Sequence, residues 1–241
     1  MVSLSSSEEG ANRDGKLQPQ TKTYARDIEG SRTLFGAARL FIRFSTPRLL
    51  TLKIAVFIII NLWLGDYGWL DFGIIVGVVL YWPLQEWFLH CFLLHFRPRE
   101  IAGSRFDPYV ARMHRYHHRH PWVLETTFLP TRFVLLLIPI HILVWWLCTP
   151  SLALAATGVL FFTLATLTYE WVHYLTHTPY KPRSDYFRGV CRNHRLHHFK
   201  NEAYWHSFTA PLVDRLFGTC PSSESVPLSS TCRTLGVDDP P

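Results

Sequence analysis

Residues 112–118 read Arg-Met-His-Arg-Tyr-His-His and residues 192–198 read Arg-Asn-His-Arg-Leu-His-His, one pattern, R-x-H-R-x-H-H, used twice. A histidine pair precedes each copy, His90 and His95 before the first, His173 and His177 before the second. Each pair closes an apolar run whose polar exit begins on Glu-Trp (Glu86-Trp87, Glu170-Trp171), so ten of the thirteen histidines fall into four clusters. Helical positions i, i+3 and i+4 share a face. His114, His117 and His118 therefore converge, as do His194, His197 and His198, and His173 with His177. His90 and His95, five apart, diverge by about 140° on a regular helix, which calls for a helix end or a local bulge between them.

Neutral imidazole suits iron, copper, zinc and nickel, whereas calcium and magnesium want oxygen. Ten imidazoles are too many for one ion. Shared between two ions they give about five each, more than tetrahedral structural zinc takes, and leave a six-coordinate ion one open position. His141, alone within an apolar run, is expected to hydrogen-bond between helices, and His120 and His206 lack a partner at ligand spacing. The cysteines (Cys91, Cys148, Cys191, Cys220, Cys232) are odd in number with no C-x-x-C pair, which argues against a disulfide framework and a thiolate zinc site.

Outward from the histidines the chain is apolar. Hydrophobic residues make up 48%, charged residues 17% and aromatics 15%, and the apolar residues are gathered into runs at about 49–65, 69–89, 133–148 and 151–171, each long enough for a membrane helix. Gly65-Asp66-Tyr67-Gly68 and Cys148-Thr149-Pro150-Ser151 turn them into two hairpins, and Pro83 is expected to kink the second helix. The formal charge of +6 does not point to nucleic acid, because the basic residues flank apolar runs instead of forming a face. Neither hairpin turn holds Lys or Arg; Lys53 is expected to snorkel from a helix start, and the remaining basic residues lie in the tail, the central segment and the last third. The positive-inside rule then puts both termini and all four histidine clusters on the cytoplasmic side. The expected fold is an all-α integral membrane protein: four transmembrane helices in two hairpins, with a cytoplasmic helical cap holding a histidine-rich di-metal site. The two halves could relate by an approximate twofold axis along the membrane normal. Residues 1–32 are expected to be a disordered cytoplasmic tail, 33–45 an interfacial amphipathic helix, 46–220 the functional domain, and 221–241 a second disordered tail.

Glu86, Glu170, Asp185, Asn193 and Asn201 are candidates to accept a bond from the far nitrogen of a ligating ring. Arg112, Arg115, Arg192 and Arg195 are expected to anchor the cap to lipid headgroups, and Trp87, Trp171 and Trp205 to wall a lipid entry.

The order H-x4-H (His90, His95), H-x2-H-H (His114, His117, His118), H-x3-H (His173, His177) and H-x2-H-H (His194, His197, His198) resembles the fatty acid hydroxylase and sterol desaturase superfamily of membrane di-metal oxygenases. The likeness covers roughly residues 45–220. The stretch from Asn201-Glu202-Ala203-Tyr204-Trp205 through Asp214-Arg215-Leu216-Phe217-Gly218-Thr219 also looks like that family's C-terminal signature, and the spacing looks most like the fatty acid 2-hydroxylase branch. The resemblance implies two iron ions held by the ten histidines, with O2 activated to hydroxylate a C–H bond of a fatty acyl chain on a sphingolipid or fatty acid. Zinc, which has no redox chemistry, is then a substituted metal. The chain lacks the His-Pro-Gly-Gly signature of the cytochrome b5 domain carried by eukaryotic 2-hydroxylases, so electrons are expected from a separate protein such as cytochrome b5 or ferredoxin with its reductase. Expected partners are a membrane lipid and the bilayer, with no nucleic acid, at the endoplasmic reticulum or a bacterial inner membrane. Two alternatives stand beside this: a sterol or other lipid desaturase or oxidase of the same superfamily, and a membrane metal-binding or metal-transport protein. A transporter would set its ligands near mid-bilayer.

Overall fold

The computed structural model describes residues 32–237. The expected N-terminal tail lies almost wholly outside the described residues. In chain order the elements are α1 (Leu34–Phe41), α2 (Ser45–Leu64), α3 (Trp69–Leu89), a π-helical turn (His90–Leu94), β1 (Arg99–Ile101), β2 (Ser104–Phe106), α4 (Tyr109–Arg119), a 3-10 turn (Leu124–Thr127), α5 (Thr131–Cys148), α6 (Leu152–Thr176), α7 (Asp185–Phe199) and α8 (Pro211–Leu216). Among the described residues the regular structure is helical apart from one exposed antiparallel hairpin, β1–β2, which turns on Ala102 and Gly103, both at positive φ. The expectation of an all-α chain misses it because a three-residue strand pair carries no usable period.

Among the described residues four helices are long and apolar enough to cross a bilayer, and the protein is a membrane protein with spans at Ser45–Leu64, Trp69–Leu94, Leu124–Cys148 and Leu152–Thr176. Within these spans 56% of the fourth is buried in protein, against 22, 11 and 6% of the first three, so α6 is the central helix and packs on α2, α3 and α5. At the hairpin end, the Thr157 hydroxyl of α6 lies 2.9 Å from Asn61 Oδ1 of α2 and 2.6 Å from Asp71 Oδ1 of α3, while Asp71 Oδ2 caps α3 by accepting the Gly68 N–H. Buried polar groups in a bilayer need partners within the protein, and here they tie three helices together. At the other end the Thr46 hydroxyl of α2 donates to the Leu129 carbonyl at 2.8 Å, and Ser45 and Thr131 oxygens meet at 2.8 Å. Both hairpins thus begin and end at one face.

One expectation within the spans needs correction. Helix α2 begins at Ser45, so Lys53 lies well inside it. There Lys53 Nζ turns to His141 Nδ1 of α5 at 2.7 Å, and Trp145 Nε1 donates to His141 Nε2 at 2.9 Å. The lysine is pinned to a neighbouring helix instead of snorkelling. Helix α3 carries Pro83 in its interior and runs on to Leu89, where the π turn starts.

Close packing at the centre rests on one glycine. A Cβ on Gly158 of α6 would stand 2.1–2.5 Å from the Trp145 ring of α5. Gly158→Ala is therefore expected to cost about 1–3 kcal/mol through overpacking, read as a lower melting midpoint in detergent; an unchanged midpoint would mean that α5 and α6 can separate freely.

Below the bundle, α1 buries Ala37 and Phe41 against Leu124, Phe128, Tyr174 and Leu175, and leaves Phe35 exposed. The last described stretch corrects the expected disordered tail over residues 221–237. It crosses back over the cap: Ser229 N–H donates to the Lys200 carbonyl (2.7 Å), the Thr231 hydroxyl to Glu202 Oε1 (2.5 Å) and Arg233 to the Arg119 carbonyl (2.7 Å), with Val226, Cys232 and Leu235 buried. Its Ser and Pro composition looks disordered in isolation, and order comes from partners elsewhere in the fold.

Candidate metal centre

The local backbone solves the His90–His95 spacing. Residues His90–Leu94 form a π turn in which the His95 N–H bonds the His90 carbonyl at 3.2 Å. An i→i+5 turn is wider than an α turn, and it brings the two rings to 4.8 Å. Helix α4 carries His114, His117 and His118, helix α7 carries His194, His197 and His198, and His173 lies in the last turn of α6 with His177 capping its end. All four segments end at the same face of the bundle.

The ten rings separate into two groups of five, His90, His95, His114, His118 and His197 in one, and His117, His173, His177, His194 and His198 in the other; within each group the facing atoms lie within 4.8 Å of one another. The division exchanges one residue. In each R-x-H-R-x-H-H the outer histidines, i and i+4, stay with their own half, while the middle one crosses. His117 sits 4.6 Å from His177 and 5.0 Å from His173, and His197 sits 4.7 Å from His90 and 4.9 Å from His95, ring to ring. His118 and His198 stack across the junction at 4.1 Å. A twofold relation between the halves would produce this reciprocal crossing.

The far nitrogens settle which way the rings present. His90 Nδ1 donates to the His206 carbonyl (2.6 Å), His118 Nδ1 to the Cys232 carbonyl (2.9 Å) and His197 Nδ1 to the Tyr204 carbonyl (2.7 Å). The Thr126 hydroxyl, which donates to Val123, is left to accept from His117 Nδ1 at 3.3 Å. A neutral ring whose Nδ1 carries the proton presents a lone pair at Nε2. These Nε2 atoms face other rings: His117 to His198 at 3.2 Å, His90 to His114 at 3.2 Å. In the second group His177 Nε2 meets His173 Nε2 at 3.3 Å and His194 Nε2 at 2.6 Å. His95, His118 and His197 Nε2 are buried with no hydrogen-bond partner. Two imidazole nitrogens bound at ~2.1 Å to one ion at a right angle stand about 3 Å apart. The donors and their spacing therefore fit two transition-metal ions.

Burial holds His95, His114, His117, His177, His194, His197 and His198 well below the usual imidazole range, so all are neutral and able to ligate at physiological pH. Burial brings His118 down to about 4, against the opposing pull of its bond to the Cys232 carbonyl and of Glu202; His206 and Arg233 add to the lowering. An unfolded chain protonates this ring at about 6.5, while the folded protein does not until about 4. The stability it contributes is present above pH 6.5 and lost as pH falls to 4, on the order of 3 kcal/mol for this one ring. The melting midpoint of the metal-free protein is expected to drop steadily between pH 7 and pH 4; a flat profile in thermal unfolding across that window would show that the rings are hydrated.

None of the five proposed supporting polar residues bonds a clustered histidine. The Glu86 carboxylate accepts the backbone N–H groups of Phe208 and Thr209 and the Thr209 hydroxyl. Glu170 Oε1 accepts Leu129 N–H at 3.0 Å. Exposed Asp185 pairs with Arg188 in the first turn of α7. Asn193 reaches Cys220 Sγ at 3.9 Å, and Asn201 turns to the Pro227 carbonyl and the Ala203 N–H. The supporting acceptors are instead backbone carbonyls, which no residue type announces. The turn that carries the His206 carbonyl is held by Asp214, fully buried, which accepts His206 N–H (3.0 Å), Ser207 N–H (2.8 Å) and the Thr219 hydroxyl (2.7 Å). Trp205 between the two acceptor residues has φ +58°, an uncommon conformation for a bulky side chain.

Arg115 also departs from expectation: it is buried, donates to the Phe96 carbonyl at 2.9 Å and pairs with Asp107 at 2.5 Å, fastening α4 to the end of the π turn. Arg112, Arg192 and Arg195 remain exposed. A narrow cleft reaches both histidine groups, lined by His114 of one and His173 of the other together with Leu94, Val110, Met113, Leu129 and Tyr169. Trp87, Trp171 and Trp205 do not line it; Trp87 stacks on Phe217, Trp171 packs on Phe41, and Trp205 is buried in the cap.

A four-helix membrane bundle capped by two five-imidazole groups defines a class, that of membrane proteins whose histidine clusters could hold metal ions at one face of the bundle. Within that class the chain belongs to the fatty acid hydroxylase family, whose family model matches residues 75–219. It is similar to the dihydroceramide fatty acyl 2-hydroxylases FAH2 (34% identical over 151 residues, 62% of this chain and 61% of the relative) and FAH1 (28% over 153 residues, 63% and 62%) of Arabidopsis thaliana. It resembles the solved structure of full-length scs7p, in which only the hydroxylase domain is visible, with a TM-score of 0.58 at 25% identity over 76% of this chain and 66% of that one. The chain thus spans about three fifths of the length of these curated relatives.

Proposed function

We propose that the chain is a membrane lipid hydroxylase that uses O2 and externally supplied electrons to oxidise a C–H bond of a fatty acyl chain, on a sphingolipid or a free acid. The observation that carries this reading is the pair of five-histidine groups at one face of the membrane bundle, with a narrow cleft lined by His114 of one and His173 of the other. Two iron ions, with the ten histidines as their ligands, would supply the activation of O2, and zinc at the same positions would be inert in that role. The residues of the chain do the rest. Leu94, Val110, Met113 and Leu129 give the cleft an apolar side, and the carbonyls of Tyr204, His206 and Cys232 fix ring orientation. The names of the relatives favour an acyl chain over a sterol.

The scarcity of Lys and Arg at the hairpin turns supports a cytoplasmic centre, at the endoplasmic reticulum of a eukaryote or the inner membrane of a bacterium. Exposed Arg112, Arg192 and Arg195 give the cap a cationic face that suits an acidic electron carrier of the cytochrome b5 or ferredoxin type. The test is to purify the protein with iron, supply a carrier, its reductase and mixed acyl lipids, and follow oxygen uptake and products by mass spectrometry. Two irons per chain and a hydroxylated acyl chain are expected. Metal flux across vesicles without lipid oxidation would overturn the reading in favour of a transporter.

A further inference from the structure

A cavity of about 240 Å³ lies between α7 and α8, and no histidine lines it. Helix α7 contributes Asp185, Tyr186, Arg192 and Asn193 to its wall, and α8 contributes Leu212 and Arg215. The volume is several times the ~30 Å³ share of a water molecule and below the ~300–1,000 Å³ of pockets that enclose a whole small molecule. It suits one polar group of a larger ligand. The wall is cationic: Asp185, its one acid, is paired with Arg188, while among the described residues the guanidinium groups of Arg192 and Arg215 enter no ion pair or hydrogen bond. Buried Asn193 adds unused bonding capacity, because Nδ2 reaches only Cys220 Sγ at 3.9 Å and Oδ1 has no partner. Planar guanidinium groups with free donors match the oxygens of a phosphate.

The surroundings of the cavity point to a lipid. Phe88, Phe92, Leu212, Leu216 and Phe217 are each more than half exposed. Ring contacts join the aromatic members, Phe88 to Phe92 at 4.9 Å, Phe92 to Trp87 at 6.1 Å and Trp87 to Phe217 at 4.2 Å. Phe88 and Phe92 belong to the second membrane span, so this apolar strip runs from the bilayer to Leu212 on the cavity wall. Exposed apolar strips at the end of a span mark contact with the membrane interface.

We propose that the cavity between α7 and α8 binds the phosphate headgroup of a bilayer phospholipid, held by Arg192 and Arg215, with the acyl chains of that lipid along Leu212, Leu216, Phe217, Phe92 and Phe88. The site is independent of the metal centre and of the substrate that is oxidised there. Arg192 then serves the bilayer, and Arg112 and Arg195 are left to face a carrier.

The test is native mass spectrometry of the detergent-purified full chain, titrated in parallel with short-chain phosphatidylglycerol, the matching diacylglycerol and inorganic phosphate. One phosphatidylglycerol per chain should be retained, at least about 10-fold more tightly than the diacylglycerol. Arg192→Gln and Arg215→Gln should each weaken it about 10-fold, because each removes a charged donor. A Cβ at Gly189, also on the wall, meets nothing within 4 Å, so Gly189→Leu should block the cavity with no change of charge. Arg112→Gln removes the same charge outside the cavity and should bind as the native protein does. Equal retention of the diacylglycerol would overturn the proposal. So would native affinity in both arginine variants or in Gly189→Leu, or a loss in Arg112→Gln equal to that in Arg192→Gln. Inorganic phosphate bound as tightly as phosphatidylglycerol would assign the cavity to the free ion and overturn the lipid.

Discussion

His197→Ala is expected to empty the metal position of the opposite half of the chain. His197 belongs to the second R-x-H-R-x-H-H yet lies among His90, His95, His114 and His118. Its loss should remove the first group's ion and lower lipid oxidation by at least about 100-fold, beyond the 10- to 100-fold that a supporting partner commands. The second group should still load. His117→Ala should do the reverse, emptying the position formed by His173, His177, His194 and His198. Metal counts by mass spectrometry, paired with a spectroscopic signature for each site, check this. Retention of both ions at native affinity in either variant would remove that histidine from the ligand set.

Asp214→Ala is expected to be the most destabilising single change outside the histidines. Its carboxylate satisfies two buried backbone N–H groups and one hydroxyl, and the Thr219 hydroxyl in turn accepts Trp87 Nε1–H at 2.9 Å. Orphaning these donors should cost about 3 kcal/mol or more, lowering the melting midpoint by roughly 10 °C for a chain of this size. Asp214→Asn, which keeps one acceptor, should fall between. The same substitution should loosen the first group's ion more than the second's, because the carbonyls of Tyr204 and His206 orient His197 and His90. Equal loss of both ions would mean that the turn supports the whole cap and not one group.

The repeat exposed the ten rings, and the apolar runs exposed the spans, because helical spacing and hydropathy are local properties of the chain. The five-residue step from His90 to His95 called for a helix end or a local bulge, and the π turn supplies the bulge. Which ring serves which group was hidden, because the crossing of His117 and His197 depends on how α4 and α7 meet in space. Glu86 and Glu170 showed the right chemistry in the right neighbourhood, yet their oxygens go to loop N–H groups, and the rings are oriented by carbonyls that every residue possesses. His206 had no partner at ligand spacing in sequence; its ring neighbours come from the π turn, the residue that caps it and α7. Arg115 was read as a lipid anchor from its charge alone, and burial beside Asp107 reverses that. Residues 221–237 were misjudged for a related reason: composition reports what a segment does alone, and this one is ordered by what it lies on.

That closing segment also sets an order of events. Cys232, whose carbonyl holds His118, is synthesised after every histidine of the centre. His118 therefore has no acceptor for its Nδ1 proton until this last stretch of the chain lies on the cap.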